Sequence, residues 1–181
     1  MIYQLKITLR RTSPPVWRRI EVDDRTSFRS LHKLIQIAFE WYDYHFHEFQ
    51  VRDPYGPKST RFIESRIVIG NLETDIDYKF YVDQVFDENH AFLCDWLIRE
   101  KDKCMYVYDF GDYWEHEILL EKIKPAEERD SYPRCTKVMR GAPLEDSGGI
   151  LDKEIEIDEN DELDRINMDF AWLYMGMDVG K

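Results

Sequence analysis

Tyr106-Val107-Tyr108-Asp109-Phe110-Gly111-Asp112-Tyr113-Trp114-Glu115-His116-Glu117-Ile118 is the stretch that decides the fold. Aromatic and β-branched side chains dominate both of its arms, and such residues suit a pleated, half-buried surface. Phe110-Gly111-Asp112 supplies the turn between the arms, because Gly tolerates positive φ and Asp bonds nearby backbone amides. The stretch predicts an antiparallel hairpin over residues 104–121. Two Asp, a Trp and a His crowd around the bend, which is more polar chemistry than strand alternation would place there.

Working outward, residues 2–10 alternate between Tyr3, Leu5, Ile7, Leu9 and Gln4, Lys6, Thr8, Arg10, the period of a half-buried strand. Thr12-Ser13-Pro14-Pro15 is a turn, and residues 16–22 return as a second strand, so the chain opens with a β-hairpin. Ser27 is positioned as the N-cap of an amphipathic helix over residues 28–41. Phe28, Leu31, Leu34, Ile35, Ala38 and Phe39 form its inner stripe, and Arg29, Lys33, Gln36 and Glu40 are assigned to its outer face. Residues 45–51 read as a strand, 67–69 and 79–82 as short strands, and 91–99 as a short helix. Tyr132-Pro133 and residues 140–149 are irregular, residues 151–165 are strongly acidic, and 166–175 close the chain as a helix. The expectation is an α+β fold: an antiparallel or mixed sheet with an N-terminal hairpin, one main amphipathic helix and a C-terminal helix. No repeat or Ser/Gly-rich linker divides the chain, so residues 1–181 read as one domain with an acidic segment near 150–165.

Composition narrows the function classes. The net charge is −12, yet residues 1–33 carry eight bases against three acids while residues 145–165 carry ten acids against two bases. Duplex nucleic acid needs a basic surface that releases counterions. The overall charge disfavours that partner, and Arg10, Arg11, Arg18 and Arg19 are the residues left to carry it. No apolar run reaches membrane-spanning length and no signal-peptide core is present, so the expected location is the cytoplasm and no membrane contact is expected. Cys94, Cys104 and Cys135 lack C-x-x-C spacing and read as reduced thiols.

Several constellations invite chemistry. His45-x-His47 on a strand would put two imidazoles on one side, where His116, Asp109 or Asp112 could complete a metal site. The plainer alternative has both rings bonding loop carbonyls. Asp109-Phe110-Gly111 resembles a kinase triplet, but no Gly-rich loop, strand lysine or catalytic-loop motif accompanies it. Asp158-x-Asn160-x-Glu162 hints at a calcium loop, yet Leu163 stands where the sharp turn requires Gly. Asp109, Asp112, Trp114 and His116 are expected to line one concave surface, joined by Glu145 and Asp146 from the shaped Pro143 to Gly149 segment. The alternative is architectural: Trp114 in the core and the Asp pair fixing the turn.

These features resemble, in combination, the plasmid pRiA4b open-reading-frame-three-like family. The resemblance rests on Tyr3-Gln4-Leu5-Lys6-Ile7 with Pro14-Pro15-Val16-Trp17-Arg18-Arg19, and on Leu31-His32 with Ile35-Gln36 and Phe39-x-Trp41. It continues through His45-Phe46-His47-x-Phe49, the hairpin signature from Tyr108 to Ile118, Tyr132-Pro133-x-Cys135 and Glu145-Asp146-x-Gly148-Gly149. One departure stands out: Ala142-Pro143-Leu144-Glu145-Asp146 occupies the place where the family usually has Cys-Pro-Pro-Glu-Asp. The resemblance implies no particular reaction, and the resolvase label of some relatives does not transfer, since no resolvase serine motif or helix-turn-helix is present.

The leading expectation is a non-catalytic binding or interaction module for a protein or small-molecule ligand. The alternatives are a metal-dependent hydrolase or nuclease using the His/Asp cluster, and a weak nucleic-acid-binding accessory of mobile elements. No cofactor is expected, and a divalent metal is the possible exception.

Overall fold

The computed structural model describes residues 1–56, 67–73, 82–149 and 155–176. Alternation sends Tyr3, Leu5, Ile7 and Leu9 inward and leaves Gln4, Lys6 and Thr8 on an outer face, which makes β1, Ile2–Leu9. Its partner β2, Val16–Asp23, folds back across a turn pinned by Thr12. The Thr12 hydroxyl donates to the Leu9 carbonyl at 2.8 Å and accepts from the Val16 amide at 3.0 Å.

Helix α1, Phe28–Ala38, starts where the Ser27 hydroxyl accepts the Ser30 amide at 3.1 Å. It stops earlier than its periodicity suggests. Phe39 caps it and Glu40 takes a positive φ of 59°, which frees Trp41 to donate its indole N–H to the Pro143 carbonyl at 2.9 Å. Gln36, assigned to the outer face by its polarity, is buried instead. Its amide donates to the Tyr106 hydroxyl at 2.9 Å and its carbonyl accepts the Asp43 amide at 3.0 Å.

The remaining elements are β3 (His47–Val51), β4 (Ile67–Gly70), β5 (Gln84–Asp87), α2 (Leu93–Trp96), β6 (Lys103–Tyr108), β7 (Trp114–Lys124), β8 (Arg134–Met139) and α3 (Glu159–Tyr174). Among the described residues, eight strands join one sheet in the order β5-β4-β3-β6-β7-β1-β2-β8. Every pairing is antiparallel except that of β4 with β5. The fold is α+β, with an N-terminal hairpin, a main helix on the sheet and a C-terminal helix. Phe28 of α1 meets Phe49 of β3 edge to face, with centroids 4.9 Å apart, and α3 packs against β8 and α1.

Some local expectations need correction. β5 and β8 were not anticipated, and the strand expected over 79–82 falls mostly outside the described residues. In β8 a bulge opposite Arg19 and Ile20 puts the buried Cys135 and Val138 three residues apart, which erases the period-2 signal. The acidic segment is helical in its second half, because Asp158 accepts the Asn160 amide at 2.9 Å and starts α3. That N-cap and the inward-facing Glu162 replace the calcium-loop reading of Asp158, Asn160 and Glu162. Among the described residues, no helix is long and apolar enough to cross a membrane.

Candidate functional site

The hairpin signature folds into a tight turn rather than a simple two-residue loop. Asp109 takes φ 54° and Tyr113 takes φ 57°, and the Tyr113 amide donates to the Asp109 carbonyl at 2.6 Å. One Asp109 carboxylate oxygen accepts the Gly111 amide at 2.9 Å, which closes the turn from inside. Asp112 reaches across to the closing loop, where its carboxylate accepts the Gly148 amide at 2.8 Å. Gly149 follows at φ 69°, and a Cβ there would lie 3.1 Å from the Asp112 carbonyl oxygen, so that loop needs glycine for both backbone shape and space.

A third loop, residues 41–46, is stitched to the other two. The Phe46 carbonyl accepts the Asp109 amide at 2.9 Å, and the Tyr42 amide donates to Glu145 at 2.7 Å. The Tyr108 hydroxyl donates a very short hydrogen bond to the same Glu145 carboxylate. His45 completes the link, with its Nε2 2.7 Å from Asp146 and 3.8 Å from Asp109. One ligand atom from each of His45, Asp109 and Asp146 falls within 4.8 Å of the others, a mixed nitrogen and oxygen set suited to a divalent ion.

Behind this trio lies a buried polar network that the sequence reading missed. His32 and His47 stack with centroids 3.5 Å apart and planes 4° from parallel. His47 Nε2 lies 2.7 Å from Glu88, and His32 Nε2 lies 2.8 Å from Asp43. Burial pushes the His32 pKa down to about 4, against the pull of Asp43, so its imidazole is neutral at pH 7. Burial also works against ionisation of Asp43 and Glu88, but bonds to His32 and His47, with help from Arg29, hold both carboxyls below their usual range. The partners then assign the tautomer of His32. Its Nε2–H donates to Asp43, its Nδ1 accepts from the Tyr106 hydroxyl at 2.8 Å, and Tyr106 accepts from Gln36. His32, Asp43 and His47 also lie within metal-ligand reach of one another. The two rings are parallel, so their in-plane lone pairs run side by side, and hydrogen bonds to Asp43, Glu88 and Tyr106 already engage three of the four ring nitrogens. A cleft of about 250 Å³, lined by Arg29, Asp43, Tyr44, His45, Phe46, His47 and Asn71, lies beside both groups.

The structure divides the residues singled out in the sequence. Asp109, Glu145 and Asp146 meet at the loop cluster with His45. His45 and His47 fall in different clusters, because β3 begins only at His47: His45 meets Asp109 and Asp146, and His47 meets His32 and Asp43. Trp114 and His116 lie in the core rather than on a concave surface. His116 packs edge-on against Phe39 at 4.7 Å and Trp41 at 5.2 Å, so it cannot join a metal site with His45. Burial pushes its pKa down to about 3. Neither ring nitrogen has a hydrogen bond of acceptable geometry, and the nearby backbone of Trp114 and Tyr106 offsets burial only partly.

The four arginines offered to nucleic acid also separate. Alternation on β2 turns Arg18 inward, fully buried, with its Nε donating to the Ala38 carbonyl at 2.7 Å and Nη1 to the Arg140 carbonyl at 2.8 Å. Arg19 faces outward and grips Glu121 with two bonds of 2.6 and 3.0 Å. Arg10 and Arg11 lie 3.7 and 3.9 Å from Glu115. Arg18 is therefore a strut, out of reach of any phosphate.

The signal for the missed network was present in α1. Position 32 lies four residues after Phe28 and three before Ile35, inside the buried stripe, so helical period alone places His32 in the core.

Comparison with known proteins agrees with the sequence resemblance. Residues 1–170 match the family described as "Plasmid pRiA4b ORF-3-like protein". The uncharacterized protein y4hQ of Sinorhizobium fredii is 30% identical over 149 residues, which span 82% of this chain and 67% of that protein. The crystal structure of MM3350, a protein of unknown function from Methanosarcina mazei Go1, is 36% identical in sequence. It superimposes with a TM-score of 0.66 over 81% of this chain and 74% of that one. The signature hairpin, the loops it organises and these matches together make this chain a member of the plasmid pRiA4b ORF-3-like protein family.

Proposed function

We propose that the chain is a non-catalytic binding module whose ligand-engaging face is the loop cluster around His45, Asp109 and Asp146. The observation that carries this reading is the company the trio keeps. Tyr42, Tyr44, Phe46, Phe110, Tyr113 and Leu144 stay exposed on the same three loops. Exposed apolar side chains gathered in one region mark interaction sites, and tyrosines are favoured there. The loops beneath them are tied by short bonds, so the face is held in shape before a ligand arrives. Activated nucleophiles have no comparable support: burial pushes the thiols of Cys94, Cys104 and Cys135 up. The three free cysteines fit a reducing compartment such as the cytoplasm, and the single continuous sheet supports treating residues 1–181 as one unit.

A second reading rests on the trio itself. A divalent ion held by His45, Asp109 and Asp146 could activate water for hydrolysis. Nucleic acid has less support, with Arg18 buried and Arg10, Arg11 and Arg19 engaged by glutamates.

Titrating isotope-labelled protein with a small-fragment collection, alone and with Mn²⁺ or Zn²⁺, tests the proposal by chemical-shift mapping. Shifts clustered on residues 41–46, 109–113 and 142–149 are expected, without hydrolysis of phosphodiester or ester substrates. Shifts confined to another face would overturn the placement of the site. Turnover lost in His45→Ala would overturn the non-catalytic reading in favour of the hydrolase.

A further inference from the structure

A second cleft lies at the opposite edge of the sheet from β8, apart from the trio. It has a volume of about 430 Å³ and is formed by the loop after β3, the edge strand β5 and the short helix α2. Its walls are aromatic. Phe86 and Trp96 meet edge to face, centroids 4.8 Å apart and planes at 68°, so the two rings form a corner rather than a stack. Tyr55 lines the cleft from the loop and is largely exposed, and Phe86 is 39% exposed. A phenylalanine left this open on an edge strand, with an exposed tyrosine beside it on a loop, is out of place unless something uses it.

Among the described residues, the cleft's other charged groups are carboxylates, with His90 the one basic side chain beside them. Asp53, Asp87 and Asp95 line the same cleft. Asp87 is occupied, with one oxygen 2.8 Å from His90 Nδ1 and the other accepting the Asn89 amide at 2.9 Å. Among the described residues, Asp53 and Asp95 have no basic partner. Asp53 accepts the Tyr55 amide at 2.9 Å, and Asp95 is reached only by the Cys94 thiol at 3.8 Å.

Carboxylates repel phosphate, sulfate and carboxylate ligands, and the aromatic corner offers little to a strongly hydrated metal ion. A weakly hydrated organic cation satisfies both features at once. Its methyl groups cover the ring faces, its charge is attracted to the π-electron density, and the carboxylates set the sign.

We propose that this cleft is a binding site for an alkylated ammonium group, carried either by a free choline-like molecule or by a methylated lysine side chain. The cleft is independent of the loop cluster around His45, so its failure would leave the binding-module reading untouched.

The test follows the Trp96 indole resonance and neighbouring amides of the full-length protein by NMR. The probes are choline, its neutral isostere 3,3-dimethylbutanol, glucose, and a short peptide with either lysine or trimethyllysine. Choline is expected to produce saturable shifts at Trp96 and Phe86, and dimethylbutanol to bind at least fivefold more weakly. Tighter binding of the trimethyllysine peptide than of choline assigns the group to a polypeptide partner, and the reverse assigns it to a free metabolite. Asp95→Asn, on an exposed side chain, should weaken choline binding severalfold and flatten its salt dependence. Phe86→Leu should weaken it about fivefold or more while keeping an apolar contact for Trp96. No saturable shift with any cation, equal binding of choline and dimethylbutanol, or stronger binding of glucose would each overturn the proposal.

Discussion

Acidification should unfold this protein through histidines that stay neutral in the folded state, and His116 offers the cleanest way to see it. The ring is wholly buried on β7, between Phe39, Trp41 and Tyr106, and burial holds its pKa near about 3. In the unfolded chain an imidazole titrates near 6.5, roughly. Because the folded value is depressed, the stability is fully present above pH 6.5 or so and is lost as pH falls toward the folded value. Between pH 6.5 and 4.5 the unfolded state gains a proton at this site that the folded state refuses, a loss of about 2 kcal/mol by linkage at 1.36 kcal/mol per pKa unit. His32, held down to about 4, loses a similar amount over the same window. Together the two rings remove about 4 kcal/mol, a large share of the roughly 5–15 kcal/mol that holds a typical domain folded.

His116→Leu removes one of these titrations and puts an apolar side chain of comparable size in its place. Neither ring nitrogen makes a good hydrogen bond, so little polar pairing is lost with it. At pH 7.5 the stability should change by no more than about 1.5 kcal/mol, as for other volume-conserving core exchanges. Across pH 6.5 to 4.5 the variant should lose about 2 kcal/mol less than the native chain. Urea denaturation at constant ionic strength, repeated at half-unit pH intervals, measures both quantities. Equal losses in the two proteins would mean that the folded state accepts the proton at His116, and the burial argument would fail.

Two further outcomes test the scaffold of the site. Arg18→Met should destabilise the fold by about 3 kcal/mol in thermal or urea unfolding, because it strands the Ala38 and Arg140 carbonyls and removes the cation facing Glu162 at 3.8 Å. Arg165, 2.9 Å from Glu162, limits the loss, so a cost below about 1 kcal/mol would refute the strut role. Gly149→Ala should cost about 1–2 kcal/mol, since φ there is 69° and the new Cβ would press on the Asp112 carbonyl oxygen at 3.1 Å. An unchanged melting temperature would mean that the closing loop does not need its left-handed turn.

What was legible in the sequence follows from which interactions are periodic. β1, β2, α1 and the signature hairpin announce themselves because burial repeats every second residue or along one helical stripe, so the sheet's centre and its covering helix are readable. β8 is hidden by a bulge, and the start of α3 is hidden because its first turns are acidic and satisfy the helix through a cap rather than an apolar stripe. At the site, Asp109, Glu145 and Asp146 could be singled out because turn chemistry and a Pro/Gly loop flag them locally. Trp114 and His116 were misplaced for the opposite reason. Period 2 puts them on the same face as Asp112, but the strand begins at Trp114, so that face points to the core while Asp112 stays in the turn. The buried network is harder still, since Glu88, His47 and His32 come from a loop, a strand and a helix that only the fold brings together. Yet His32 lies within the helical stripe that gave α1 away. Its tautomer, its neutral state and the ionised Asp43 beside it all follow once that position is accepted as buried. A polar residue caught inside an apolar period is thus the local trace of a long-range network, and it is the trace that connects the readable core to the loop cluster around His45.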